Sequence, residues 1–476
     1  MVTFKNSDKM KHFVFPIAIL AILFTACSVK IDSPAEASDS PFYEVTIPAS
    51  LDSGAPETRA VTFDGTTSSG SFKTTEKVYV YNISKKKLLS SALSPSKNGK
   101  TCNLTGTFGK DEVSDGDALL LVYNANSLNI PYFCRFNYAN QNGTQEGVVD
   151  GATASVSASV SGGKVTTSIV AAFENEQSMF RFRFTDGTNN ISVSKLTIKS
   201  NKLALAYMYD PDPVSPSRAA DDIRVTPDSP TSDYLYVAIS IKEEIADGDI
   251  LTFIVTDDDG KVYKGTKAAP AGGFKNGKYY CNDTPITLTY QYTKVKPTIT
   301  WNSVKDGLAV EPDENDRYNI YGPGGTGPID ISISSNSAGY QFYFNSDATV
   351  HISGNIDINW QEEYYCLYPK SWEYALTLDI SGANNTIHCL NYSGCAYGKP
   401  LKLKGNGNLS VFVNNYAYCG LVSDPNYQVG TNFQGTTDEL DVTAELAADG
   451  YTVTRSKRYQ SGSTYYWTYI VKPVTP

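Results

Sequence analysis

Apolar and polar residues alternate along most of this chain, and that alternation confines it to strands. Residues 77–83 (KVYVYNI) alternate, and in 179–184 (MFRFRF) Phe and Arg take turns. Successive side chains of a strand point to opposite faces, so 179–184 is expected to turn Phe inward and Arg to solvent. Residues 118–123 (ALLLVY) form an unbroken apolar run, as in a strand buried on both faces. Further strands are expected at 165–173, 191–199, 234–241, 250–256 and 279–292. Asp257-Asp258-Asp259-Gly260 supplies hairpin chemistry before Lys261, and Asn276-Gly277 a turn before the strand from Tyr279. Long amphipathic helices are hard to find, which argues against bundles, Rossmann folds and TIM barrels. The 33 Tyr and 20 Phe, against 4 Met, agree with strands. A chain that is 41% hydrophobic and 19% charged also carries enough apolar mass for a core.

The 476 residues suggest about three domains at ~150 residues each. Strands recur from residue 60 to 295, too long a stretch for one sandwich of ~100 residues. Two antiparallel β-sandwiches are therefore expected, 60–175 and 176–295, with a break near 174–177. Residues 294–298 (KVKPT) read as a linker. From 299 to 476 the texture changes. Four segments share a cadence: Ile329-Asp330-Ile331-Ser332, Val350-His351-Ile352-Ser353, Leu378-Asp379-Ile380-Ser381 and Leu401-Lys402-Leu403-Lys404. They start 21, 28 and 23 residues apart. A short strand repeated at such spacing, with Gly and Asn at corners, predicts a β-solenoid-like domain. A third sandwich of hairpins is the alternative. The expected fold class is all-β throughout.

The N-terminus reads as a leader. Lys5, Lys9 and Lys11 precede twelve apolar residues, 13–24 (FVFPIAILAILF). Twelve is short of the ~20 that a spanning helix needs, so residues 1–26 are expected to be a signal peptide. It ends Phe24-Thr25-Ala26-Cys27, similar to a bacterial lipobox, with Phe24 in place of the usual Leu. Acylation of Cys27 with several chains (palmitate among them) would make a stable membrane anchor. Removing the leader takes three Lys and one Asp and moves the net charge from −10 to −12. So acidic a chain is a poor candidate for nucleic-acid binding, and its sequence shows no basic patch for anionic lipid. Residues 27–59 read as a tether rich in Ser, Pro, Ala and Asp, with one extended run at 42–48 (FYEVTIP).

These features together resemble the fimbrillins, pilin and adhesin lipoproteins of Bacteroidetes. The resemblance rests on the lipoprotein leader, the short acidic tether, Glu57-Thr58-Arg59-Ala60, Val61-Thr62-Phe63 and the strand at 77–83. It continues through 179–184, 191–199 and the closing Ala271-Gly272-Gly273-Phe274-Lys275-Asn276-Gly277-Lys278-Tyr279-Tyr280. It covers roughly residues 27–292 and leaves the repetitive C-terminal region outside. The resemblance implies assembly by strand exchange. A trypsin-like protease would cut after Arg59, before Ala60, and remove the 42–48 strand. Another fimbrial subunit's strand would then fill the groove. It implies an outer-membrane, cell-surface or fimbrial location. Some 180 residues follow the matching part, so a tip or accessory adhesin is expected over a stalk subunit, unless 464–472 (TYYWTYIVK) is donated.

Motifs for chemistry are scarce. His351 and His388 have no zinc spacing, and His12 lies in the leader. Gly322-Pro323-Gly324-Gly325-Thr326-Gly327 spells G-x-G-x-x-G, but Pro328 and a strand follow, so it reads as a loop. Asp313-Glu314-Asn315-Asp316 offers hard oxygens for calcium, yet without EF-hand spacing. Glu362-Glu363, extended, would point to opposite faces and not form a catalytic pair. No catalytic residue, metal or cofactor is expected. Trp360, Tyr364, Tyr365 and Trp372 crowd together. Aromatic faces build cores and also stack on sugars, so any site for host or microbial glycans is expected there. Two rival functions stay open: a glycan-binding lipoprotein of a polysaccharide-uptake system, and a β-helix enzyme that degrades polysaccharides. After Cys27, seven Cys remain, so at least one is unpaired.

Overall fold

The fold comes from a computed structural model, which describes residues 40–51, 62–63, 68–69, 71–123, 133–145, 147–148, 151–204, 206–209, 219–241, 245–281, 283–302, 311–313, 315–360, 366–371, 373–389, 401–413, 443–456, 459–461 and 464–475. The chain is all-β: two antiparallel sandwiches followed by a parallel stack of coils. Among the described residues the one α-helix is a single turn, Thr443–Leu446.

In the first sandwich, Ala118–Tyr123 lies between Val78–Asn82 and Ala152–Ser161. Ala152–Ser161 then carries the sheet over to Lys164–Thr167 and Ala171–Asn175, which lie beside Phe42–Leu51. Phe72 fills the space between the layers, edge-on to Tyr123 at 5.2 Å and to Phe173 at 5.7 Å. The unbroken run 118–123 is buried on both faces, as its sequence demands.

In the second sandwich, Ser178–Phe182 pairs with Leu235–Ile241 and Tyr279–Cys281. Val193–Ala204 is flanked by Ala219–Val225 and Ile250–Asp257. Phe180, Phe182 and Phe184 are core, as alternation requires. Arg181, however, does not face solvent: it is only 7% exposed. Its guanidinium lies 4.3 Å from the Tyr234 ring and 2.6 Å from Asp283. Alternation reports two faces but not whether the second is covered, and here Tyr234 and Asp283 cover it.

The two sandwiches interlock across the expected break. Phe133–Asn137 pairs with Ala206–Tyr209, and Asn140–Gln141 adds in parallel to Ala219–Val225. The Gln141 amide donates to the Ala238 carbonyl (2.7 Å) and accepts from its N–H (2.8 Å). Tyr81, Val122, Tyr138 and Met179 close a small apolar core at this joint.

The C-terminal coils have three faces. Arg317–Ile320, Gln341–Phe344 and Leu367–Pro369 make one parallel sheet. Ile329–Ile333, Ala348–Ile352 and the first halves of Leu376–Cys389 and Leu401–Val413 make the second. Asp357–Trp360 and the second halves of those long strands make the third. Ile331, Val350, Leu378 and Leu403 stack as one fully buried column. The coil offsets are thus 19, 28 and 25 residues, not the 21, 28 and 23 between segment starts. Gly405 turns a corner with φ +109°, and a Cβ there would sit 2.2 Å from the Ile380 carbonyl oxygen. At each end of the stack an antiparallel strand lies along one face. Ile299–Trp301 covers the first coil. Thr464–Pro473 covers the last and pairs in turn with Tyr451–Arg455.

Candidate strand-exchange groove and charged junction

The Phe42–Leu51 strand is inserted into the first sandwich, not appended to it. On one side it pairs antiparallel with Thr101–Gly109, from Phe42 opposite Gly109 to Ser50 opposite Thr101. On the other it runs parallel to Lys164–Thr167 and Ala171–Asn175. The sequence FYEVTIPASL explains the seat. Its alternate residues Val45, Ile47 and Ala49 are 2%, 0% and 2% exposed and join the Phe72 core. Glu44 and Thr46 face out, with Glu44 3.5 Å from Lys164.

The parallel side of this seat is interrupted. Register holds at Glu44–Lys164 and Val45–Val165, and resumes at Ala49–Ala171. Glu44 donates its N–H to the Gly163 carbonyl, and Leu51 donates to Lys100 on the opposite side. Even-numbered residues therefore point their N–H groups toward the parallel side. Pro48, which has no N–H, stands at the interruption, where no ladder bond is lost.

Of the residues singled out in the sequence, Cys27, Arg59, Ala60, Tyr364, Tyr365 and Trp372 lie outside the described residues. Trp360 is described and is 4% exposed, within the core of the coil stack. The Thr464–Pro473 strand is held on both edges, and its Trp467, Tyr469 and Val471 are fully buried.

A second site lies where the second sandwich meets the coils. A cavity of about 190 Å³ is lined from the sandwich by Lys195, Lys199, Asp222 and Arg224, and from the coils by Asp316 and Arg317. Lys294, in the stretch read as a linker, also lines it. Asp316 is the clasp: its two carboxylate oxygens lie 2.8 Å from Lys195 and 2.8 Å from Lys294. Burial raises its pKa, but Lys294 and Lys195 outweigh burial and hold it below the ordinary carboxylate range. Asp316 takes φ +61°, which Asp tolerates better than most residues. Asp313 shapes the turn by accepting N–H bonds from Asn315 (2.8 Å) and Arg317 (3.0 Å) and an amide bond from Asn319 (2.8 Å). Of the oxygens weighed for calcium, those of Asp313 and Asp316 are thus engaged by N–H and ammonium donors. Asp257 is engaged in the same way by Asp259 and Lys261 N–H groups, as its hairpin role requires. Sequence reasoning had no signal for the clasp, because Lys195 and Asp316 are 121 residues apart.

No family model matches this chain. No curated protein matches it either. Among solved structures, a candidate cell adhesion protein of Bacteroides uniformis is similar at 13% identity and TM-score 0.32, over 52% of this chain and 97% of that one. The tip fimbrial protein Mfa3 of Porphyromonas gingivalis is similar at 13% identity and TM-score 0.26, over 56% of this chain and 97% of that one. A fimbrial assembly protein of Parabacteroides distasonis is similar at 13% identity and TM-score 0.26, over 50% of this chain and 89% of that one. Likeness of this size carries no weight for function, which has to rest on the chain's own geometry.

Proposed function

We propose that the chain is a cell-surface adhesin or accessory fimbrial subunit, anchored in the outer membrane through Cys27 and assembled by strand exchange. Cleavage after Arg59 would sever Phe42–Leu51 from the rest of the first sandwich. The seat between Thr101–Gly109 and Ala171–Asn175 would then accept a strand from a second subunit. The observation that carries this reading is the insertion of a sequence-distal strand between two others, with Arg59 in the connection that follows it. A vacated seat exposes two rows of backbone donors and acceptors and an apolar floor, which an alternating β-strand satisfies best. Thr464–Pro473 is held by neighbours on both sides, which supports an accepting over a donating role. The reading contains no catalytic step.

The test is limited trypsin digestion of the chain from Ser28, followed by intact mass and size-exclusion chromatography. Cleavage after Arg59 is expected. The 60–476 fragment, separated from its strand, is expected to bind a labelled FYEVTIPASL peptide or to form oligomers. The same peptide with Asp at the Ile47 position is expected to be refused. A protected Arg59, or a fragment that stays monomeric and takes no peptide, would end the strand-exchange reading.

A further inference from the structure

We propose that the cavity between the second sandwich and the coil stack binds an acidic sugar residue. Charge is the first argument. Five cationic side chains (Lys195, Lys199, Arg224, Lys294, Arg317) line it against two carboxylates, Asp222 and Asp316. Asp222 is engaged by Arg224 at 2.9 Å, and Asp316 by Lys195 and Lys294. Lys199 and Arg317 form no ion pair with any described residue, so the cavity carries positive charge in a chain of net charge −10. Holding like charges together, partly withdrawn from water, is costly without a counter-anion. Arg317 is also oriented: its guanidinium lies 5.2 Å from the Tyr343 ring. A guanidinium fork suits the two oxygens of a carboxylate.

The rest of the lining separates a sugar acid from a bare anion. The Asn315 side-chain oxygen is buried and accepts no hydrogen bond in the protein. Such an acceptor is rare, and a hydroxyl donor from a ligand would satisfy it, whereas a fully ionised anion such as sulfate has none. Tyr292 adds aromatic surface that suits the C–H face of a pyranose, and Trp360, 4% exposed, reaches the lining from the core beneath it. At ~30 Å³ per water the cavity holds roughly six waters, which is the space of one monosaccharide. Trp360 was singled out as a sugar-stacking residue together with Tyr364, Tyr365 and Trp372. Here it serves a different site, formed with the second sandwich.

The inference gives the adhesin reading a ligand, and its test does not depend on processing. The uncleaved chain from Ser28 is titrated with D-glucuronate, D-glucose and inorganic phosphate, with calorimetry and tryptophan fluorescence as readouts. Saturable binding of glucuronate is expected, at least about tenfold tighter than either other probe and weaker as salt rises. Lys199→Gln and Arg317→Gln are each expected to weaken it about tenfold, with an unchanged thermal midpoint. Trp360→Phe keeps an aromatic ring and checks that the fluorescence change originates in the cavity. Phosphate binding as tightly as glucuronate would reduce the site to an unselective anion hole and overturn the proposal. So would glucose binding as tightly, no saturable glucuronate binding, or full binding by both charge variants. If glucuronate binds while the 60–476 fragment refuses strands, assembly falls and the ligand stands.

Discussion

The first described strand and the last one are both long, both alternate and both lie between two neighbours, yet they are held differently. Phe42–Leu51 is anchored by Val45, Ile47 and Ala49, and one of its two ladders is interrupted opposite Pro48. Thr464–Pro473 is anchored by Trp467, Tyr469 and Val471, and its register against Leu401–Val413 is unbroken from Gly407–Val471 to Val413–Tyr465. Each strand has one unbroken ladder and a second one divided between two partners, so the anchors make the difference. Under the strand-exchange proposal, small anchors suit a strand that is given up and large ones suit a closure. Two strands of similar length and pattern are thus held by side chains of very different size.

Substitutions test that contrast. Trp467→Ala is expected to have the largest effect, about 3–5 kcal/mol, because it empties the end of the coil stack. It should shift the denaturant midpoint of the stack and leave strand uptake by the first sandwich intact. Ile47→Ala is expected to cost about 2–4 kcal/mol in the intact chain and, after cleavage, to speed release of the strand, read as faster peptide exchange. If Trp467→Ala instead loosened Phe42–Leu51, the two closures would be coupled and the contrast would collapse.

Asp316→Asn is expected to cost about 1–2 kcal/mol, since it leaves Lys195 and Lys294 without their shared carboxylate. Its acid dependence has a definite sign. The folded carboxyl is depressed, so its contribution is complete above about pH 4 and is lost as pH falls through the depressed value. The wild-type junction should therefore loosen in acid, read by protease access near Asp316, and the Asn variant should lack that acid step. Pro48→Ala is expected to have the smallest effect, under about 1 kcal/mol and through the unfolded chain, because no ladder bond is missing to be restored. A gain in stability there would mean that the interruption is a cost the strand bears and not a designed gap.

Much of the architecture was readable from side-chain period. The column Ile331, Val350, Leu378, Leu403 is visible in the cadence of four segments, because one buried face imposes alternation on every coil. The register was legible only to within two residues: Ile331, not Ile329, meets Val350. Alternation fixes which face a residue takes, and a shift of two preserves the face. The covered face of Arg181 and the Asp316 clasp were not legible, since both depend on contacts between distant segments. The strand at 42–51 was legible as extended, but its insertion between two others was not, because a tether and an inserted strand have the same local pattern.

The antiparallel strands at the two ends of the coil stack also set a limit on size. Parallel coils offer each end as a template of matching polarity on which an identical coil could continue the stack. Ile299–Trp301 and Thr464–Pro473 run the opposite way, one against the second face of the first coil and the other against the third face of the last. On those faces they act as chain terminators in the polymer chemist's sense, because an identical coil finds no parallel edge there on which to continue.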